Sequence, residues 1–153
     1  MSIITLLLTG LALLVLFVLS ACFSGSETVL FSLSPIQMQR IRNRDPESGA
    51  RLETLLSAPG MVLSTILVGN SLTNFSIASL GYLLFEEIFP GRGEFIAIPV
   101  MTVALLLFGE VTPKRLAIIN AERLAPFCVR LVTFWLRLLR PFSLALTTGS
   151  KVF

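Results

Sequence analysis

The sequence holds no histidine and only two cysteines, Cys22 and Cys128, in 153 residues. Zinc and copper sites draw on imidazoles or clustered thiolates, so soft-metal chemistry has no ligand set here. Two cysteines so far apart suggest neither a disulfide framework nor a thiolate cluster, and they read as small apolar fillers. No nucleophile–base pair is recognisable, and a lone glutamate in a span does not make a protease, so no enzyme is expected. Charge is scarce too: 14% of residues are charged, against roughly a quarter in a soluble globule. What fills the chain instead is apolar. Hydrophobic residues make up 54% and mean hydropathy is +0.87, which for one small domain means that much of its surface faces lipid.

Three long stretches with few or no charges predict an all-α membrane protein with three transmembrane helices. The first covers about residues 2–32; it lacks a basic leading segment and is too long for a signal-peptide core. The second covers about 59–85 and opens on Pro59-Gly60. The third, placed at about 95–117, is built on a run from about Phe95 to Pro113 whose one charge is Glu110; the nineteen residues of that run reach ~28 Å as helix, close to the hydrocarbon thickness.

Basic residues predict the orientation. Arg40, Arg42, Arg44 and Arg51 lie between spans one and two, and Lys114, Arg115, Arg123, Arg130, Arg137, Arg140 and Lys151 lie at and after the end of span three. Only Arg92 lies between spans two and three, among Glu86, Glu87 and Glu94. The amino terminus is therefore expected outside and the carboxyl terminus inside. Residues 35–57 read as cytoplasmic surface helices broken at Asp45-Pro46 and Ser48-Gly49. Residues 89–93, Phe-Pro-Gly-Arg-Gly, read as a tight external turn. Residues 122–146 pair an apolar face, with Trp135 at headgroup level, with a basic stripe of Arg123, Arg130, Arg137 and Arg140. This suits a juxtamembrane helix lying in the interface; a fourth span is the rival, at the cost of burying arginines in hydrocarbon.

Each span contains a polar cluster. Span one has Ser20, then Ser24-Gly25-Ser26-Glu27-Thr28; span two has Gly69-Asn70 and Asn74; span three has Gly109-Glu110-Val111-Thr112-Pro113-Lys114. Ser20 and Ser24 share a helical face, as do Asn70 and Asn74. Pro113 has no N–H to give the carbonyl of Gly109, and Gly109 has no side chain to cover it. Hydroxyls, amide oxygens, a carbonyl and a carboxylate are hard ligands, suited to Mg²⁺, Ca²⁺ or Na⁺. The plain alternative is helix packing, which is how Ser64, Thr65, Ser76 and Thr102 are read. Glu27 is equally an interfacial residue. Lys114 either snorkels to the inner surface or neutralises Glu110 across one turn.

Phe23-Ser24-Gly25-Ser26-Glu27-Thr28, Leu63-Ser64-Thr65-Ile66-Leu67-Val68-Gly69-Asn70 with Asn74, and Phe108-Gly109-Glu110-Val111-Thr112-Pro113-Lys114 together resemble the transmembrane domain of the CNNM/CorC magnesium transporters. The likeness covers nearly all 153 residues. It implies a homodimer in the lipid bilayer, with a belt-like juxtamembrane helix. Each protomer would hold one dehydrated Mg²⁺ among Ser20, Ser24, Asn70, Asn74, Gly109 and Glu110. It also implies export of Mg²⁺ coupled to Na⁺ entry. Gly25, Gly69 and Pro113 are then candidate bending points, and Ser26, Glu27 and Lys114 secondary polar groups. Family members usually continue into cytosolic CBS modules that bind ATP; that region is absent from these residues, so nucleotide regulation is not assigned to them. The expected setting is a multi-pass protein of a cell membrane, a bacterial inner or plasma membrane, with no nucleic-acid partner. A second reading, of another class, is a membrane anchor and dimerisation scaffold that senses Mg²⁺ for cytosolic domains without moving it.

Overall fold

Prolines and short polar caps divide the chain. In the computed structural model, residues 3–150 are described, with side chains as far as Leu139; residue 2, the side chain of Arg140 and Lys151 lie outside the described residues. The helices are α1 (Ile3–Ser32), α2 (Pro35–Arg44), α3 (Pro46–Leu56), α4 (Pro59–Ile88) and α5 (Gly93–Ala104). A π-helical segment, Leu105–Val111, then runs directly into α6 (Thr112–Ser150). Pro35, Pro46 and Pro59 each open a helix, where a missing N–H costs nothing. Ser34 and Gln37 form a capping box on α2, and the Asp45 carboxylate accepts from the Ser48 N–H at the start of α3. Ser48-Gly49 does not break the chain as expected; both residues lie inside α3. A Cβ on Gly49 would fall 2.6 Å from the Arg42 Cα, so this glycine lets α3 pack closely on α2.

Three helical stretches are long and apolar enough to cross a membrane: Ile3–Ser32, Pro59–Ile88 and Gly93–Leu139. The all-helical, three-span architecture expected from the sequence stands. The third stretch has 47 residues, about 70 Å of helix and twice what a bilayer needs. Asn120 divides it: its φ of −118° and ψ of 22° leave the helical region, and its side-chain amide donates to the Leu116 carbonyl at 3.2 Å. After the kink, Glu122 pairs with Arg40 at 3.7 Å and Arg130 with Asp45 at 3.9 Å. The later part of α6 is thereby tied to α2 and to the α2–α3 junction. At the other end, Gly91 turns the chain with φ of +75°, a region that favours glycine. The Glu86 carboxylate accepts from the Gly91 and Gly93 N–H groups at 2.8 and 3.1 Å.

α1 packs against α4 on one side and α6 on the other. The main core gathers Phe23, Val29 and Leu30 of α1 with Leu52 and Leu55 of α3, Val62 and Ile66 of α4, and Ala125, Val129 and Val132 of α6. Trp135 lies against Phe23, ring centroids 5.0 Å apart. The first half of α1 is the reverse: Ile3, Leu7, Leu11, Leu14 and Val18 are exposed. An uncharged exposed row of this kind is what a lipid-facing surface presents.

Candidate cation site

The three spans meet at Ser20. It is fully buried, and its hydroxyl lies 2.7 Å from the Asn74 Oδ1 and 3.2 Å from the Asn70 Oδ1. One hydroxyl has one proton and donates to one acceptor at a time. With both amide oxygens turned to it, one oxygen always faces a lone pair rather than a donor. Three oxygens from α1 and α4 thus crowd together with too few hydrogens between them, which a positive charge would relieve.

The third helix arrives at the same point because Gly109 has no side chain. A Cβ there would sit 2.9 Å from the Ser20 Oγ. The backbone around Gly109 is also opened. The Thr112 N–H reaches back five residues to the Leu107 carbonyl, bypassing Phe108, which it would serve in an α-helix. Pro113 cannot serve Gly109. Two consecutive carbonyls, Phe108 and Gly109, thereby lose the donors an α-helix would give them. The proline signalled one of these; the π-helical bonding that frees the second leaves no mark in the sequence.

Ser24 lies one turn further along α1, buried to 1% exposure. Its hydroxyl has no hydrogen-bond partner among the described residues. A buried polar group without a partner costs about 1–3 kcal/mol, so Ser24 suits a ligand that completes it. Glu110 is half-buried within the π-helical segment. Lys114 pairs with Glu27 across the helices at 3.8 Å rather than with Glu110. Ser26 is buried without a partner among the described residues, but it lines a different space, an apolar pocket of about 250 Å³ shared with Cys22 and Cys128.

The glycines and the proline expected as bending points are packing positions in the structure. α1 and α4 run unbroken through Gly25 and Gly69. A Cβ on Gly69 would meet the Phe23 ring at 2.5 Å, so Gly69 seats that ring beside the asparagines. Gly25 passes Pro113, whose carbonyl oxygen would lie 3.8 Å from a Cβ there. Contacts from Ser20–Gly109 to Gly25–Pro113 run the same way along both chains, so α1 and the third span are parallel. Ser20–Asn74 and Phe23–Gly69 run in opposite senses, so α4 is antiparallel to both. Sequence reading passed over Phe23 as a packing group, Asn120 at the kink, and Pro99 inside α5. Of these only Pro99 and Asn120 carried a signal, as residues that disfavour a helix interior.

No group of three or more His, Cys, Asp or Glu side chains able to hold a metal occurs among the described residues. The oxygen set at Ser20 is a neutral one with a single carboxylate near it in the chain. Such an arrangement between membrane-crossing helices defines a class: a membrane domain built around a polar, oxygen-lined centre. The chain belongs to the CNNM family, matching the model of the cyclin M transmembrane N-terminal domain over residues 11–153. It is 33% identical over 129 residues to a UPF0053 protein of Haemophilus influenzae, covering 84% of this chain and 31% of that protein. It is 35% identical over 107 residues to the UPF0053 inner membrane protein YfjD of Escherichia coli, covering 70% of this chain and 25% of that one. A chloroplastic DUF21 domain-containing protein of Arabidopsis thaliana is 39% identical over 130 residues, 85% of this chain and 20% of its own length. The chain therefore spans between a fifth and a third of these relatives.

Proposed function

We propose that this domain carries a divalent cation, Mg²⁺, across the membrane through a dehydrated-ion site formed by Ser20, Ser24, Asn70, Asn74, Gly109 and Glu110. The observation that carries the reading is the convergence of the Ser20, Asn70 and Asn74 oxygens with one proton between the two amide acceptors. The Gly109 carbonyl, to which Pro113 has no N–H to give, and the unpartnered Ser24 hydroxyl support it. Mg²⁺ surrenders its water reluctantly, so a site that strips it must present several fixed oxygens at once, and helices packed through glycine supply that rigidity. The carboxylate of Glu110 would offset part of the ion's charge. Small relative motions of the spans about this point would alternate access, with Glu27–Lys114 parting as the ion leaves along α1 and α6. Export driven by Na⁺ entry, a homodimer in the bilayer, and CBS modules in a longer chain complete the proposal. The setting would be an inner or plasma membrane, as the name of the Escherichia coli relative states for that protein.

The test is flux. Purified chain in liposomes loaded with a Mg²⁺ indicator should show Mg²⁺ movement that Asn74→Ala and Glu110→Ala each abolish, together with the Mg²⁺-dependent rise in melting temperature. Stabilisation by Mg²⁺ without any flux would establish the scaffold that senses Mg²⁺ instead. A Mg²⁺ response unchanged in both variants would remove the site.

A further inference from the structure

We infer that the cleft between α2 and the Asn120 kink of α6 is a binding site for a phosphate group, of an anionic lipid headgroup or of free phosphate. Two adjoining pockets, of about 500 and about 180 Å³, share Arg44, Glu122 and Arg123 on their walls. Gln37 and Asn120 complete the polar lining of the larger, and Asp45 lies on the smaller.

The acids of this cleft are already engaged. Glu122 faces Arg40 at 3.7 Å. Asp45 faces Arg130 at 3.9 Å and accepts from the hydroxyl and N–H of Ser48 at 2.6 and 3.1 Å. Arg44 and Arg123 have no carboxylate partner among the described residues; they present two guanidinium forks to one space. Gln37 spends its Oε1 on the Ser34 N–H at 2.9 Å, which leaves its amide protons to donate. Two arginines and an amide donor line one space whose carboxylates are already held by Arg40, Arg130 and Ser48, a lining complementary to a tetrahedral oxyanion, which guanidinium binds in a bidentate way. The cleft also belongs to the side of the spans on which the sequence is expected to place eleven of its twelve basic residues. Anionic headgroups concentrate at such a surface, and basic pockets between helices there hold them.

The position gives the site a consequence. Arg44 is the last residue of α2, and Arg123 follows the kink by three residues. A phosphate held by both would pin α2 to the point where the third membrane helix changes direction. That helix also carries Gly109, so the bound anion would bias its tilt.

The experiment uses the full chain in neutral detergent, read by native mass spectrometry and by thermal melting. It is titrated in separate arms with phosphatidylglycerol, phosphatidylcholine and inorganic phosphate. Phosphatidylglycerol should be retained and should raise the melting temperature, and phosphatidylcholine should do neither. Arg44→Gln/Arg123→Gln should weaken phosphatidylglycerol retention roughly thirtyfold, and Arg44→Gln alone roughly fivefold. The single variant changes an exposed, unpaired side chain, so it keeps the test valid if the double variant folds poorly. Arg92→Gln, beyond the opposite ends of the spans, should change nothing. Stabilisation by inorganic phosphate that depends on the same arginines, with no lipid retained, would assign the site to free phosphate. Retention equal in wild type and Arg44→Gln, or no binding in either anionic arm, overturns the inference. The Mg²⁺-dependent shift in the same samples reports on the cation site separately.

Discussion

Gly109→Ala probes the meeting of the three spans without deleting any proposed ligand atom, since the carbonyl of residue 109 remains. A glycine-to-alanine change inside a helix ordinarily stabilises it by about 0.5–1 kcal/mol. Here the new Cβ would lie 2.9 Å from the Ser20 Oγ and 3.5 Å from a Leu105 methyl. The first distance is a clash with a fully buried side chain already engaged by two asparagines. Overpacking of this size costs about 1–3 kcal/mol, which outweighs the propensity gain and reverses the sign. For a chain of this length that is roughly 2–10 °C in melting temperature. Gly10→Ala is the matched control: it has nothing within 4 Å, and should be neutral or slightly stabilising. The same clash pushes α1 from the third span, so Gly109→Ala should also lose the Mg²⁺-dependent melting shift that Gly10→Ala keeps. Melting curves of both variants, with and without Mg²⁺, decide the matter. A Gly109→Ala protein as stable as Gly10→Ala, with a full Mg²⁺ response, would refute the close approach and the site built on it.

Three further outcomes follow from the same geometry. Pro113→Ala restores an N–H in reach of the Gly109 carbonyl; it should raise thermal stability while weakening Mg²⁺ binding at least tenfold, by about 1.4 kcal/mol or more, as read by calorimetry, and unchanged binding would show that the freed carbonyl is not used. Glu27→Gln removes the partner of Lys114, both of them half-exposed; fold stability should change by less than about 1 kcal/mol, while Mg²⁺ flux in liposomes changes, and identical flux would exclude a gating part for the pair. The Ser48 hydroxyl and N–H hold the Asp45 carboxyl below its ordinary 3.8. A lowered carboxyl value contributes stability above the ordinary value and loses it as pH falls through the folded one, so protection of the α3 amides from hydrogen exchange should fade below pH 3.8 in wild type and show no such step in Asp45→Asn.

The spans were legible because lipid imposes a simple demand: long uncharged runs, with arginines gathered beyond their ends. Pro35, Pro46 and Pro59 located three helix starts for a reason equally local, the missing N–H. The Ser48-Gly49 reading failed because glycine answers two different needs. A turn uses its backbone freedom, whereas Gly49 is used for the space its absent side chain leaves to Arg42, and a single sequence does not separate the two. The partner of Lys114 was open between Glu110 and the surface for a related reason. Helical spacing describes neighbours on one helix, and the residue that pairs with it, Glu27, is on another. The π-helical step at Leu105–Val111 had no readable cause beyond Pro113, since its hydrogen-bond register is set by what the third span packs against.

That register connects the fold to the proposed chemistry. Most of the large buried side chains lie to one side of the oxygen cluster, among the second half of α1, α3, the first half of α4 and the later part of α6, with Ile77 of α4 buried on the other side. On the other side, the first half of α1 shows exposed aliphatic residues from Ile3 to Val18. α1 is therefore clamped at one end and exposed along much of the other, where α4 and α5 still hold each other through Gly81 against Met101 and Gly93 against Glu86. A hinge needs this asymmetry: motion of the unclamped ends costs lipid contacts that are replaced by other lipid contacts, not core packing. The π-helical segment stands at the boundary, and widening or closing it by one residue would change the direction of α5, and of the α4 end packed on it, without disturbing the core around Phe23. If the domain moves an ion, the end bearing α5 should exchange its amides faster than the end bearing α3, and Mg²⁺ should slow exchange chiefly in Leu105–Val111. Equal protection along both ends, or a Mg²⁺ effect spread evenly over the helices, would contradict a site placed at the edge of the clamp.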